Sequence, residues 1–246
     1  MKADRTTVLS IAGFDPSAGA GVLADVKTFE QHQVMGLAVQ TCWSAQNEQH
    51  FEQVGWLKTA EIISQLKVLL QLYKPQYIKV GLVPSWAALR DILQVINSQA
   101  PSARIILDPV LSASAGFEFH QEGHRIFKTE ILPQLFLITP NAEEYKQLFG
   151  SQPVEKWPYA AHLLLKGGHR EHHLGEDLLV EGEGISVIKS NRGKLPSKHG
   201  TGCILSAAIT AQLALGQDLK TACHLAKEYL EQRMAYHEGL LTYHHL

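Results

Sequence analysis

A chain of 246 residues, 45% hydrophobic and 19% charged, can build one substantial core or at most two small ones, so a single domain over 1–246 is expected. Its formal net charge of −2, with Lys and Arg scattered along the chain, excludes the basic footprint of a nucleic-acid or membrane-surface binder and points to a small-molecule partner. Three cysteines outside any C-x-x-C unit exclude a disulfide framework and a zinc site, no apolar run reaches the roughly 18 residues of a membrane helix, and MKADRTTVLSIAGFD lacks a signal-peptide core; a cytoplasmic protein is expected.

In chain order, the pattern predicts a strand at 7–13, a helix from Val22 to Gln31 and a strand at 36–43. A helix from Ala60 to Tyr73, a strand at 77–81, a helix from Ser85 to Ser98 and a strand at 104–108 follow. Next come a helical stretch from Gly123 to Leu132, a strand at 135–139, a helix from Ala142 to Leu148 and a strand at 162–166. The segment 177–191 reads as a hairpin turning at Gly182 to Gly184, and two helices close the chain at 202–214 and 218–237. Strands apolar on both faces, alternating with amphipathic runs, give an α/β fold with a mostly parallel sheet covered by helices. Ligands in such sheets gather beyond the carboxyl ends of the strands, so chemistry is sought in the residues just after each strand.

After the first strand, Gly19-Ala20-Gly21-Val22-Leu23-Ala24 fits the dinucleotide pattern G-x-G-x-x-A, which raises an NAD oxidoreductase. Asp15 to Ala18 intervene between strand and glycines, and no acid closes the second strand, so a helix-entry turn and a substrate loop remain the two better readings. Asp108 ends a central strand, where a carboxylate is costly without a cation or hydrogen bonds, and is therefore a candidate site residue. Asn141 and Glu144, three apart at a helix start, fit either a capping box or a magnesium-linked role.

The stretch KHGTGCILSAAI sets the backbone N–H groups of Gly200, Thr201, Gly202 and Cys203 at the start of a long apolar helix, where unpaired donors favour an anion. Its spacing is wrong for G-x-x-x-x-G-K-[ST], and that motif occurs nowhere in the chain. A thiol at this helix end is expected to have a lowered pKa and to be reactive; the alternative is a small residue packed under the sheet. Thirteen histidines, including GGHREHHLG and the terminal YHHL, show no paired ligand spacing and read as a solvated loop and tail.

Taken together, SIAGFDPSAGAGVLADVKTF, VQTCWSAQN, IKVGLV, ILDPV, LITPNAEE, LLLKGGH and HGTGCILSAA, in order from residue 10 to 208, resemble the hydroxymethylpyrimidine/phosphomethylpyrimidine kinases of thiamin biosynthesis. The resemblance implies a ribokinase-like three-layer sandwich, ATP as co-substrate, Mg²⁺ and a homodimer. It places Cys203 at the catalytic position, where most of the wider superfamily has an aspartate, and makes Gly200, Thr201 and Gly202 the anion hole. Gln46 would hydrogen-bond the aminopyrimidine edge, for which a primary amide has both donor and acceptor. Gly13, Leu82 and Val110 would line the pyrimidine pocket with Asp25. Asn141 and Glu144 would order phosphate and magnesium, Glu144 through water, and Lys166 with Asp108 would lie beside the nucleotide.

Three departures stand against this pattern. Ala113 to Phe117 replaces a lid that carries a lysine and an acid, SQPVEKWPYAA replaces a full helix between Asn141 and Lys166, and the C-terminal G-x-G-P-V-x-H segment is absent. They bear most on a second step, phosphorylation of the pyrimidine monophosphate. The competing expectations are a pyridoxal or pyridoxine kinase, which acts on the same CH₂OH geometry, and a non-catalytic pyrimidine-binding regulator.

Overall fold

The computed structural model describes residues 5–111, 124–167, 175–190, 192 and 195–244. One nine-stranded sheet runs β3-β2-β1-β4-β5-β6-β7-β8-β9. Its strands are β1 (Thr7–Phe14), β2 (Met35–Gln46), β3 (Phe51–Trp56), β4 (Tyr77–Val80), β5 (Arg104–Leu107), β6 (Leu137–Ile138), β7 (His162–Leu165), β8 (Asp177–Glu181) and β9 (Gly184–Ile188). The pairs from β2 through β1, β4, β5 and β6 to β7 are parallel. β3, β8 and β9 join antiparallel.

Period-two alternation explains why the central strands look apolar throughout. Leu9, Ile11, Ile105, Leu107, Leu163 and Leu165 face one core, while Val8, Ile106 and Leu164 face the opposite side of the sheet. The first face is covered by α2 (Thr59–Leu72), α3 (Trp86–Gln99), the α4 segment (His124–Ile126) and α5 (Ala142–Phe149). The second is covered by α1 (Gly21–Gln31), α6 (Thr201–Ala214) and α7 (Leu219–Tyr236), which completes the three-layer α/β sandwich. α3 shows the local logic: Ser85 caps it through the Ala88 N–H, and Leu89, Ile92, Leu93 and Ile96 form its fully buried stripe. Burying one such side chain is worth about 1.5–3 kcal/mol.

α6 has no such stripe because nearly every side is covered: Ile204, Leu205, Ala207, Ala208, Ile209, Ala211 and Leu213 are all buried among α1, α7 and the sheet. That makes it a fixed support for whatever its N-terminus carries. The chain runs from β1 to β2 on one side and later returns to place β4 on the other, so β1 and β4 flank the point where the strand order reverses.

Most expected elements lie within a residue or two of their positions. The exception is β3, whose sequence FEQVGW has Glu52 and Gln53 exposed on an antiparallel edge strand and so lacks the apolar signature of the others. The expected helix from Gly123 breaks down after one α turn into a π turn (Phe127–Ile131) and a 3₁₀ turn (Leu132–Gln134) that contains Pro133, which has no N–H to continue an α ladder. The lid run 113–117 and most of GGHREHHLG, residues 168–174, fall outside the described residues. Of the terminal YHHL, residues 245 and 246 fall outside the described residues; Tyr243 is exposed, as a solvated tail would be, but His244 is buried, its Nδ1 3.2 Å from the Tyr229 hydroxyl.

Candidate active site

Beyond the carboxyl ends of β1, β2, β4 and β5 lies a cavity of about 690 Å³. Gly13, Gln46, Leu82, Asp108, Val110, Asn141, Glu144, Lys166 and the run from Gly200 to Cys203 all border it. Residues scattered from 13 to 203 in the sequence are thus brought together. Asp25 is the exception. It lies inside α1 with 0% exposure, its carboxylate held by Lys79 Nζ at 2.8 and 2.9 Å and by the Ser10 hydroxyl, so it supports the floor and does not line the cavity.

The turn into α6 is built from backbone. Gly200 caps the helix without a side-chain bond, in the left-handed conformation at φ 73°, and a Cβ there would stand 1.9 Å from the Gly19 carbonyl oxygen. The first intrahelical bond at this end runs from Ile204 N to Gly200 O, at 3.0 Å. The amides of Thr201, Gly202 and Cys203 precede it and are available to an anion.

The expectation of an acidified thiol is overturned. Cys203 has its pKa pushed up to about 11, chiefly by burial, with the Asp108 and Asp25 carboxylates adding to the rise against the pull of Lys79 and a Gly21 N–H. Cys203 is a neutral thiol at physiological pH.

Beside the turn, Asp108 Oδ1 accepts from Lys166 Nζ at 2.8 Å and from Thr139 Oγ1 at 3.3 Å. Burial would raise the Asp108 carboxyl, but Lys166 and Lys79 beside it hold it below the usual carboxylate range. A Cβ on Gly202 would stand 3.1 Å from Lys166 Nζ, so the amide turn and this ammonium are neighbours. Asn141 and Glu144 form the capping box of α5: Asn141 Oδ1 accepts from Glu144 N at 2.9 Å, and Glu144 Oε2 from Asn141 N at 2.7 Å. The cap and the cavity-lining position coexist, because Glu144 also stands 3.8 Å from Lys166 Nζ.

Burial, with Asp108 adding to it against Lys166, pushes the Glu144 carboxyl up to about 7. The acid is therefore neutral below that pH and a carboxylate above it. If the carboxylate helps receive Mg-ATP, kcat/KM for the nucleotide falls as pH drops through about 7, and Glu144→Gln flattens that acidic limb. A pH series of initial rates on both proteins checks this, since kcat/KM reports groups of the free enzyme. An unchanged limb in the variant would assign it to another group.

Three further residues that motif reading did not select line the site or support it from beneath. Lys79, 0% exposed in the middle of β4, pairs with Asp25; a lysine inside the apolar run YIKVG was the available signal. Asp15 and His199 border the cavity and meet at 2.8 Å, a contact across 184 positions that nothing in either local sequence announces. The residues before the turn are tied to the end of the chain: Lys198 Nζ donates to the carbonyls of His237 and Gly239, and His199 N donates to Leu240 O at 2.9 Å.

A second cavity of about 480 Å³ shares Lys166, Thr201 and Gly202 with the first, and Lys189, Arg192 and Lys227 border it. Among the described residues no group of three or more His, Cys, Asp or Glu side chains could hold a metal by itself. No helix among them is long and apolar enough to cross a membrane.

Comparison with known proteins gives three kinds of match. The family described as phosphomethylpyrimidine kinase matches residues 15–245. The hydroxymethylpyrimidine/phosphomethylpyrimidine kinase of Aquifex aeolicus (strain VF5) is 33% identical over 241 residues, 91% of this chain and 92% of the relative. The pyridoxine kinase of Bacillus subtilis (strain 168) is 31% identical over 238 residues, 90% of this chain and 88% of the relative. Among solved structures, the pyridoxal kinase from Staphylococcus aureus in complex with AMP-PCP and pyridoxal superposes with a TM-score of 0.81 at 26% identity, covering 95% of this chain and 89% of that one.

Proposed function

The chain belongs to the phosphomethylpyrimidine kinase family and has its ribokinase-like fold, and on that premise we propose that it transfers the γ-phosphoryl group of ATP to the hydroxymethyl oxygen of 4-amino-5-hydroxymethyl-2-methylpyrimidine. The monophosphate of that alcohol is the proposed second substrate, and thiamin biosynthesis or salvage the setting. One observation carries the reading: Gln46, able to pair with an aminopyrimidine edge, borders the same cavity as the Gly200–Cys203 amide turn.

In this reading the pyrimidine lies in the larger cavity against Gly13, Leu82 and Val110, and ATP occupies the smaller one, with Lys189 and Arg192 near its phosphates. The two cavities meet at Thr201 and Gly202, where the transferring group passes. Amides of the turn stabilise its charge, and Lys166, kept protonated by Asp108 and Glu144, adds a fixed cation. Cys203 receives the alcohol as a neutral thiol. Phosphoryl transfer of this kind has a loose transition state, so the alcohol proton needs to leave only late and no strong base is required.

Magnesium fits the donors present. A single carboxylate, Glu144, with one oxygen taken by the Asn141 N–H, suits an ion that keeps most of its waters and is carried by nucleotide phosphates. The ion would supply charge neutralisation at the phosphates. A cytoplasmic homodimer is the proposed state, in keeping with the family resemblance and with three free cysteines.

The reading is tested by phosphoryl transfer from Mg-ATP to the hydroxymethylpyrimidine, its monophosphate and pyridoxal, offered in parallel. Turnover of the first is expected; turnover of the second would extend the reaction to both steps. A vitamin B6 kinase is the second reading, favoured by an identity to a pyridoxine kinase nearly equal to that with the pyrimidine kinase. Turnover on pyridoxal alone would replace the first reading with it.

A further inference from the structure

Two glycine turns from opposite ends of the sequence interlock beneath the cavity. A Cβ on Gly200 would lie 1.9 Å from Gly19 O, one on Gly19 would lie 2.6 Å from His199 Cδ2, and one on Gly21 would lie 2.1 Å from Gly13 O. There is no slack between the 13–21 loop and the 199–203 turn. One carboxylate joins them. Asp15, 1% exposed, accepts at Oδ1 from the Ser17 N–H at 2.9 Å and the Ser17 hydroxyl at 2.8 Å. Its Oδ2 accepts from the Ala20 N–H at 2.9 Å and meets His199 Nε2 at 2.8 Å.

Burial would raise the Asp15 carboxyl, but the hydrogen bonds from His199 and Ser17 hold it below the usual range. It is an ionised acceptor, so Nε2 carries the proton of His199. The ring is thereby fixed in one orientation, one residue ahead of Gly200. With the His199 N–H bonded to Leu240 O at 2.9 Å, the residue just ahead of the amide turn is held through both its ring and its backbone.

The geometry points to Asp15 and His199 as a pair of positioning residues: their bond holds the Gly200–Cys203 amides in register with the substrate loop, so that phosphoryl group and acceptor alcohol meet at reacting distance. This rests on the kinase reading of the cavity. Displacing a catalytic group by about 1 Å can cost on the order of 100-fold in rate, and that is the effect the pair prevents.

The test compares His199→Gln, which keeps an N–H for Asp15, with His199→Leu, which removes it, and adds Asp15→Asn combined with His199→Leu. His199→Leu is expected to lower kcat on the order of 100-fold while KM for acceptor and nucleotide stays within about threefold, and His199→Gln to recover most of the loss. The double variant should be no more than about threefold slower than His199→Leu, because the two residues act as a unit. In parallel, the Kd of orthovanadate in the presence of Mg-ADP should rise about tenfold in His199→Leu and stay near wild type in His199→Gln.

Vanadate binding needs no acceptor. It reads the turn even if wild type phosphorylates none of the three alcohols, so failure of the substrate assignment is told apart from failure of the pair. Equal losses in the Gln and Leu variants, a KM that rises in step with the fall in kcat, or an unchanged vanadate Kd would each overturn the proposal.

Discussion

Asp25→Ala should cost the folded chain about 3–5 kcal/mol, among the largest single-residue losses available in this protein. The reason is the partner left behind. Lys79 is 0% exposed, and burial alone would discharge it, but the Asp25 carboxylate against it pushes its pKa above that of an ordinary lysine. With the carboxylate gone, an ammonium is stranded inside the sheet. The paired change Asp25→Ala with Lys79→Met should recover most of the loss, since replacing a whole buried ion pair by apolar groups is often neutral. Urea unfolding measures it: the single variant should shift the midpoint strongly with an unchanged slope. A loss under about 1 kcal/mol would mean that Asp108, the other carboxylate near Lys79, takes over as its counter-charge.

Cys203→Ala is expected to lower kcat about 100-fold, at the low end of the range for proton-transferring side chains, with nucleotide affinity nearly unchanged. The low end follows from the thiol's state: at a pKa of about 11 it is a hydrogen-bonding partner for the alcohol far more than a ready base. The same fact sets its reactivity. Alkylation at Cys203, followed by mass spectrometry, should be slow near pH 7 and climb tenfold per pH unit toward about 11. A plateau already at neutral pH would show that the helix end prevails over burial. Unchanged turnover in the alanine variant would remove the thiol from the reaction.

What could be read in advance depended on whether the deciding partner was near in sequence. The amide turn was legible because two glycines before a long apolar run specify a helix entry locally, and the run itself encodes a buried helix. Asp108 was legible because an acid ending a buried strand demands a partner; Lys166, 58 positions away, supplies it. Cys203 shows the limit. Its position was marked by its own neighbours, but its protonation is set chiefly by burial, with Asp108 and Asp25 adding to the rise, and only the folded sheet brings these about.

Asp25 failed for a related reason: a match to a pattern does not say which way a carboxylate points, and here it points at Lys79 inside the sheet. Asp15 and His199 were hidden by their separation of 184 positions. β3 was missed because an edge strand with one face in water needs no continuous apolar run.

The tie between Lys198, His199 and the carbonyls of His237, Gly239 and Leu240 sets an order of events in synthesis. Every strand of the sheet, α6 and α7 have been translated before residues 237–244, so the segment that braces the amide turn is the last of the described chain to be made. Competence to turn over substrate would then depend on a contact that the chain can make only after all the elements of its core have been synthesised.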